Sequence, residues 1–378
     1  MKEKIKNELE FGFKFKLGVF IGRFQPFHEG HLYSIVEALR HCHNVLVLIG
    51  SVDRARNIRN PWTYQERVEL IQTVLKNYDR EHQSQLAQRV FFSGLKDYLY
   101  QENLWSEAVR ENINKILPKI SEQPVSPKQI AVVGFEKDDS TYYLKLFPEY
   151  ARLPIKNFKN IHSTVIRKAY FLLGETLFDG LVMKETAVFL KDFLENSATK
   201  SEYLILKKEY ELIQQYQEAW SHTPYPPIFT TTDALVLCQG HILLIQRKHP
   251  PGQNLWAFPG GFLNVNERIE TGIIRELVEE TQIQISNQIL AASLKKCFVF
   301  DHPERSQVGR VITHVGVIIL ELPECPAVHA ADDAKQVQWW KLEALAEIEA
   351  QMHDDHYQIS KLLVAQAIVR SECSIQDG

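Results

Sequence analysis

Residues 17–31 read LGVFIGRFQPFHEGH. The first five, Leu17–Ile21, are apolar and partly β-branched, with the length of a buried parallel strand. Beyond the turn, Leu32, Ile35, Val36 and Leu39 recur at the i, i+3, i+4, i+7 spacing of a helix with one apolar face. Val45–Ile49 is a second buried run, and Ile130–Val133 a third. Strand, helix and strand within about 35 residues make a βαβ unit, so an α/β domain with a parallel sheet is expected. In such sheets nucleotides bind at the carboxyl ends of the strands. The turn Gly22-Arg23-Phe24-Gln25-Pro26-Phe27-His28-Glu29-Gly30-His31 lies at such an end. A helix starting near Gly30 would point unpaired N–H groups and a positive dipole end at a phosphate. His28 and His31 could contact neighbouring phosphate oxygens, and Gly30 would let the backbone come close. Alone, H-x-G-H reads equally well as two histidines capping a helix.

The whole stretch resembles the G-R-F-Q-P-F-H-x-G-H signature of the nucleotidyltransferase superfamily. A second phosphate motif of that superfamily, S-T-x-x-R, is matched by Ser163-Thr164-Val165-Ile166-Arg167. Within it the sequence is similar to the archaeal-type nicotinamide mononucleotide (NMN) adenylyltransferases at Gly50-Ser51, Arg59 to Thr63, Glu66-Arg67, Gly134, Lys137-Asp138, and Ser140 through Phe147-Pro148. His162 departs from the small residue common before the Ser-Thr pair. The resemblance implies a Rossmann-like domain that binds ATP through Gly22, Arg23, His28, His31, Ser163, Thr164 and Arg167. His28, His31 and Arg167 would be catalytic. Arg59, Asp97 and Trp105 would hold NMN, Trp105 by stacking; the other reading of Trp105 is an amphipathic residue packed on the core. The chemistry implied is in-line attack of the NMN phosphate on the α-phosphorus of ATP. It needs positioning and charge stabilisation rather than a covalent intermediate.

The second decisive stretch is Gly261-x5-Glu267-x7-Arg275-Glu276-Leu277-Val278-Glu279-Glu280-Thr281-Gln282-Ile283. Ile274, Leu277 and Val278 give a helix an apolar face, and Glu276, Glu279 and Glu280 at i, i+3, i+4 put three carboxylates on one exposed patch. Such a patch is either a solvated acidic face or a site for a hard cation, Mg²⁺ or Mn²⁺. The spacing resembles the Nudix box, and Trp256 to Gly261 resembles the approach to it. The resemblance makes Glu276, Glu279 and Glu280 metal ligands, Glu279 and Glu280 catalytic, and Arg275 their orienting partner. It implies an α/β/α domain that hydrolyses a substituted nucleoside diphosphate. Gln282 stands where the box has Gly, at a cost of about 1 kcal/mol if the helix still ends left-handed. Phe300 to Ser306, Gly309-Arg310, Ile312 to His314, Asp332 to Ala334 and Asp354 to Tyr357 resemble ADP-ribose-acting Nudix domains fused to adenylyltransferases. Arg247, Arg305 and Arg310 are the substrate-phosphate candidates, each with a surface salt bridge as its other reading.

Between the motifs, Tyr203, Leu206, Tyr210, Ile213 and Trp220 mark an amphipathic helix that must stop before Pro224-Tyr225-Pro226-Pro227. The expected division is a nucleotidyltransferase domain over 1–195, a connector over 196–224 and a Nudix domain over 225–378. At 378 residues and 45% hydrophobic content, two globular domains are expected. Residues 1–222 carry 31 basic and 28 acidic side chains, and 223–378 carry 12 and 19. Neither half is basic enough to suggest nucleic acid. No run is long enough for a membrane span, and Met1–Lys16 lacks the apolar core of a secretory signal. Five scattered Cys suit a reducing cytoplasm. Together the resemblances imply a bifunctional NMN adenylyltransferase/Nudix hydrolase with ATP, NMN and ADP-ribose as small-molecule substrates and Mg²⁺, or Mn²⁺, at both sites. A homo-oligomer is neither required nor excluded. Two alternatives stay open: an ADP-ribose-sensing Nudix module, and other mononucleotide or nucleoside diphosphate substrates.

Overall fold

The computed structural model describes residues 13–134, 145–174 and 182–376, with side chains to residue 366. Lys137, Asp138 and Ser140 lie outside the described residues. The chain divides into two compact units, 1–204 and 205–378.

The first unit runs β1 (Phe15–Gly22), α1 (Glu29–His41), β2 (Cys42–Ile49), α2 (Tyr64–His82), β3 (Val90–Gly94), α3 (Glu102–Ile120), β4 (Ile130–Gly134), β5 (Ala151–Pro154), α4 (Ser163–Leu173) and α5 (Lys184–Glu195). All five strands are parallel in the order β3-β2-β1-β4-β5. This is the doubly wound Rossmann-like sheet expected, and its order reverses between β1 and β4. Alternation along β2 sends Val45, Val47 and Ile49 to one face, with Ile35 and Leu39 of α1 and Ile71 and Val74 of α2. Leu46 and Leu48 go to the other, with Val109 and Ile113 of α3. Both faces are covered, which is why the strands read as unbroken apolar runs. Cys42, at the start of β2, is fully buried, and burial pushes its thiol up to about 12.

Helix α6 (Lys200–Ala219) crosses the division between the units. The expected connector is thus largely one helix, and its residues from Ile205 onward belong to the second unit.

The second unit continues β6 (Ile228–Cys238), β7 (His241–Arg247), β8 (Trp256–Ala257), β9 (Gly260–Phe262), α7 (Ile269–Thr281), α8 (Asn287–Ser293), β10 (Leu294–Phe300), β11 (Arg310–Leu320), β12 (Ala334–Lys341) and α9 (His356–Gln376). The sheet is mixed: β10-β11-β6-β7-β12, with β6 and β11 parallel, and β9 and β8 added to β6 and β7. Ile273 and Leu277 of α7 are fully buried against Ala234 and Val236 of β6 and Ile318 of β11. Ile274 and Val278, expected to form the apolar face with Leu277, are half-buried at its margin. Among the described residues no helix is long and apolar enough to cross a membrane.

Candidate active sites

The first site forms where β1 ends and α1 begins. Gly22 closes β1, and a Cβ there would stand 2.9 Å from the Phe24 ring. Phe24 takes a left-handed φ of 53° and buries its ring. His28 is the N-cap of α1 in extended conformation. The N–H of His28 donates to His31 Nδ1 at 3.3 Å, so in neutral His31 the proton sits on Nε2. The two imidazoles stack at 3.7 Å between ring centroids, and His31 also packs on the Phe24 and Phe27 rings. A Cβ on Gly30 would come within 3.2 Å of the His28 ring, so glycine makes room for the imidazole itself. Burial, then the neighbouring His162, lowers His28 to about 4. Burial, then His28, holds His31 well below the usual histidine range. Both rings are therefore neutral donors near pH 7. His28 Nδ1 is buried with no hydrogen-bond partner among the described residues. An orphaned polar atom of this kind, costly if left unmet, fits a ligand.

Helix α4 brings the second motif to the same place. Ser163 Oγ donates to the Pro26 carbonyl at 3.2 Å, while Arg167 donates to the Gln25 carbonyl at 2.6 Å and the Ile58 carbonyl at 3.1 Å. Thr164 Oγ1 accepts from the same guanidinium at 3.3 Å. The starts of α1 and α4 thus meet at the β1 turn, two helix N-termini at one point. Arg23 is exposed beside them at the end of β1. Arg67 is buried and donates to the carbonyls of Arg23, Gly50 and Thr63 at 2.7, 2.7 and 3.1 Å. It fastens the β1 and β2 turns together, a role the sequence did not announce, because its partners lie 17 and 44 residues away. Asp97 accepts from Ser51 Oγ at 3.1 Å and Arg54 at 3.2 Å, just beyond β3. Arg59 lies in the turn before Pro61, its N–H on Asn57 Oδ1. Trp105 is half-buried in α3, its ring 6.0 Å from Phe147 in the core.

The second site is in the other unit. The three carboxylates do not form the single exposed patch expected. Glu276 and Glu280 are buried and only Glu279 is exposed. The cause is β9, which lies over α7 and whose glycines leave space for acids. A Cβ on Gly261 would stand 2.6 Å from Glu276 Oε1, and one on Gly260 would stand 2.2 Å from Asp233 Oδ1. Gly260 N–H donates to Glu280 at 2.9 Å. Arg275 gathers the others, donating to Glu267 at 2.7 Å, Glu276 at 2.8 Å and Glu279 at 2.9 Å. Those bonds, led by Glu267, raise its pKa and lower that of Glu267. Burial raises Glu276, and raises Glu280 to about 8, with Glu276 and Asp233 adding repulsion. Buried acids that repel one another are a donor set a hard divalent cation would stabilise. Among the described residues, however, no three ligating side chains already stand grouped for a metal.

A cavity of about 360 Å³ opens beside Glu280, lined also by Asp233, Arg247, Tyr216, Phe262 and His356. Asp233 accepts from Thr313 Oγ1. His356 Nδ1 accepts from Phe258 N–H at 2.9 Å, and burial lowers the imidazole to about 4. Of the expected phosphate-binding arginines, Arg247 lines the cavity and donates to the Pro251 carbonyl at 2.9 Å. Arg305 lines it too, but as half of a buried ion pair with Asp355 at 3.1 Å rather than a surface one. Arg310 is turned to the Asp301 carbonyl and is not part of the wall. Asp233 was missed in the sequence. Its signal was a lone carboxylate inside the β-branched and apolar run of β6.

Comparison with known proteins gives the same division. Residues 19–169 match the cytidylyltransferase-like family and residues 229–363 the NUDIX domain family. The chain is 34% identical over 189 residues to the nicotinamide/nicotinic acid mononucleotide adenylyltransferase of Acinetobacter baylyi, spanning 50% of this chain and 92% of that one. It is 31% identical over 129 residues to the ADP-ribose pyrophosphatase of Methanocaldococcus jannaschii, 34% of this chain and 69% of that one. The crystal structure of a bifunctional NMN adenylyltransferase/ADP ribose pyrophosphatase from Francisella tularensis, complexed with AMP and a manganese ion, superimposes with a TM-score of 0.81 at 37% identity. The match covers 93% of this chain and 99% of that one.

Proposed function

The chain belongs to the bifunctional NMN adenylyltransferase/ADP-ribose pyrophosphatase family, and we propose that it performs both reactions. The first unit transfers AMP from ATP to NMN, giving NAD and pyrophosphate. The second hydrolyses ADP-ribose to AMP and ribose 5-phosphate. The observation that carries this reading is one chain holding both constellations in the family's order: a neutral histidine pair at a helix N-terminus, and a glycine-cradled carboxylate set.

In the first unit the NMN phosphate oxygen attacks the α-phosphorus of ATP as the bond to pyrophosphate breaks. His31 Nε2–H and the His28 ring donate to phosphate oxygens, and the N-termini of α1 and α4, Gly22, Ser163 and Thr164 bind the rest. Arg23 and Arg167 supply the permanent charge that neutral imidazoles cannot. Arg59, Asp97 and Trp105 are assigned to NMN, with Asp97 held for that task by Ser51 and Arg54. In the second unit Arg247 and Arg305, which line the cavity, are assigned to ADP-ribose, with Arg247 the best placed; Arg310, turned to the Asp301 carbonyl outside the wall, is not. A carboxylate takes the proton of the attacking water, Glu279 and Glu280 being the candidates within the box and a base from outside it the alternative. Mg²⁺ or Mn²⁺ would neutralise charge on the ATP phosphates in the first reaction and on the ADP-ribose diphosphate in the second. In the second unit it would be held by Glu276, Glu279 and Glu280. In the first, whose donors are imidazoles and guanidiniums, it would be held through the phosphates of ATP.

The intact Arg275 and glutamate set supports turnover rather than ADP-ribose sensing. The unpaired cysteines Cys42, Cys238, Cys297 and Cys325 support a cytoplasmic setting. The test is direct: the pure chain is given ATP with NMN, ATP with nicotinate mononucleotide, and ADP-ribose, each with Mg²⁺. NAD from the first mixture and AMP from the third are expected, and both should stop when a chelator removes the metal. If ADP-ribose yields no AMP, the hydrolase reading fails and sensing takes its place.

A further inference from the structure

From Ile205 onward, α6 is built into the second unit. Tyr216, one turn from its end, lines the cavity, and Gln217 Nε2 donates to the carbonyls of Gln307 and Val308 at 3.3 Å each. The least expected residue is Glu209. It is only 4% exposed, yet it is a carboxylate, and it accepts the Gly252 N–H at 2.6 Å.

Gly252 sits in the 248–254 turn, after Pro250 and Pro251, which have no N–H to offer. Several other bonds of the turn are its own: Arg247 Nε to the Pro251 carbonyl, Leu255 N–H to the Gly252 carbonyl, and Gln253 to the Lys248 carbonyl. Its two ends are tied at the start of β12, where Lys248 N–H donates to the Asp333 carbonyl at 2.9 Å and Lys335 Nζ to Asn254 Oδ1 at 2.7 Å, with Gly252 between them. On its other side the turn meets His353. Gly252 takes a φ of +75°, and a Cβ there would stand 2.2 Å from the His353 ring. The turn is therefore gripped at Gly252, between a carboxylate from α6 and an imidazole from the approach to α9. Burying that carboxylate is costly. Burial raises it to about 7 and Asp354 adds repulsion, offset by the Gly252 N–H and by Arg247. Arg247 stands at the root of the gripped turn, lines the cavity, and its charge also acts on Glu280.

We propose that Glu209 is a positioning residue of the hydrolase site, holding the 248–254 turn so that Arg247 meets a phosphate of the substrate. The inference rests on the ADP-ribose hydrolase reading, and it assigns a working part to a segment N-terminal to the 229–363 family match.

The test compares Glu209→Ala and Glu209→Gln in the full chain by steady-state ADP-ribose hydrolysis and by hydrogen exchange of the 248–254 segment. Removing the acceptor orphans a buried N–H. Glu209→Ala should therefore raise KM about tenfold with kcat within about threefold, and speed exchange in 248–254. Glu209→Gln, whose side-chain carbonyl still accepts, should stay within about threefold of the unsubstituted chain in both readouts. NAD synthesis should be unchanged in both variants. The proposal is overturned by a normal KM in Glu209→Ala, by unchanged exchange in the turn, by exchange rising equally throughout the second unit, or by equal damage from Gln and Ala. An unsubstituted chain that releases no AMP from ADP-ribose would instead overturn the hydrolase reading, and exchange in 248–254 would then decide the anchor alone.

Discussion

His28 and His31 stand ring on ring, and burial keeps both uncharged near pH 7. In the proposed reaction they would meet phosphate oxygens as oriented donors, so their worth would lie in geometry. His31→Ala should cut NAD synthesis by about 10²- to 10³-fold, the usual loss for one preorganised donor. The variant should stay folded, at some cost in thermal stability from the ring packing lost against Phe24 and Phe27, and near-normal turnover would refute the assignment. Stability should also respond to pH with a definite sign. His28 titrates at 6.5 when unfolded and at about 4 when folded, so the unfolded chain binds more protons between those values. Its contribution is fully present above 6.5 and is lost as pH falls towards 4, by up to about 3 kcal/mol. Urea midpoints of the first unit should drop between pH 7 and pH 5, and His28→Gln should flatten that slope. At this scale the sequence showed the histidines, the Ser-Thr-x-x-Arg run and the glutamates, because each is a local pattern. It showed Arg67 only as part of a motif and not its role, because the bonds to the Arg23 and Gly50 carbonyls are long-range. Nor did it show Glu209, which sits beside the stripe position Tyr210 between Leu206 and Ile213.

The end of α7 is an element under local strain. Gln282 is its C-cap at φ 42° and ψ 37°, a left-handed conformation that suits glycine. Thr281 and Glu280 carbonyls accept from the N–H groups of His329 and Ala331, so the 329–331 segment pins the turn in place. Gln282→Gly should stabilise the second unit by up to about 1 kcal/mol, read from denaturant unfolding, with hydrolysis unchanged. The opposite holds on β9, where glycine is needed for space. Gly260→Ala would press a methyl group on Asp233 and on the Thr232 carbonyl. It should reduce ADP-ribose hydrolysis at least tenfold while NAD synthesis continues. The buried strands of the first unit were legible from their apolar runs, β1, β2 and β4 all including the segments expected. β3 and β5 were not: Val90–Gly94 carries a single buried side chain, Val90, and Ala151–Pro154 is a four-residue edge strand. The burial of Glu276 and Glu280 was also hidden, because helical spacing says which residues share a face but not that a glycine strand will cover it.

Across the whole chain, the residues assigned to the two chemistries fall in separate units, and the two activities should be separable by substitution. His31→Ala should retain ADP-ribose hydrolysis, and Glu280→Gln should retain NAD synthesis, each measured on the full chain. Where the second unit begins is also testable. A fragment from Ser197 keeps Glu209, Tyr216 and Gln217, whereas one from Tyr225 lacks all three. The first should hydrolyse ADP-ribose with a KM near that of the full chain, and the second should be much weaker or unstable. Motif order made the two-unit plan readable. The composite origin of the hydrolase cavity was not, since the relevant part of α6 lies outside the stretch that carries the motifs.

Cys42 has a further use. It is the single cysteine of residues 1–204, sealed between β1 and the rest of the core, with a thiol that burial keeps protonated. A thiol-directed reagent can reach it only when the parallel sheet opens. The rate of its modification is therefore a clock for unfolding of the nucleotide-binding unit alone, and ATP or NMN bound to that unit should slow the clock in proportion to the occupancy of the folded state.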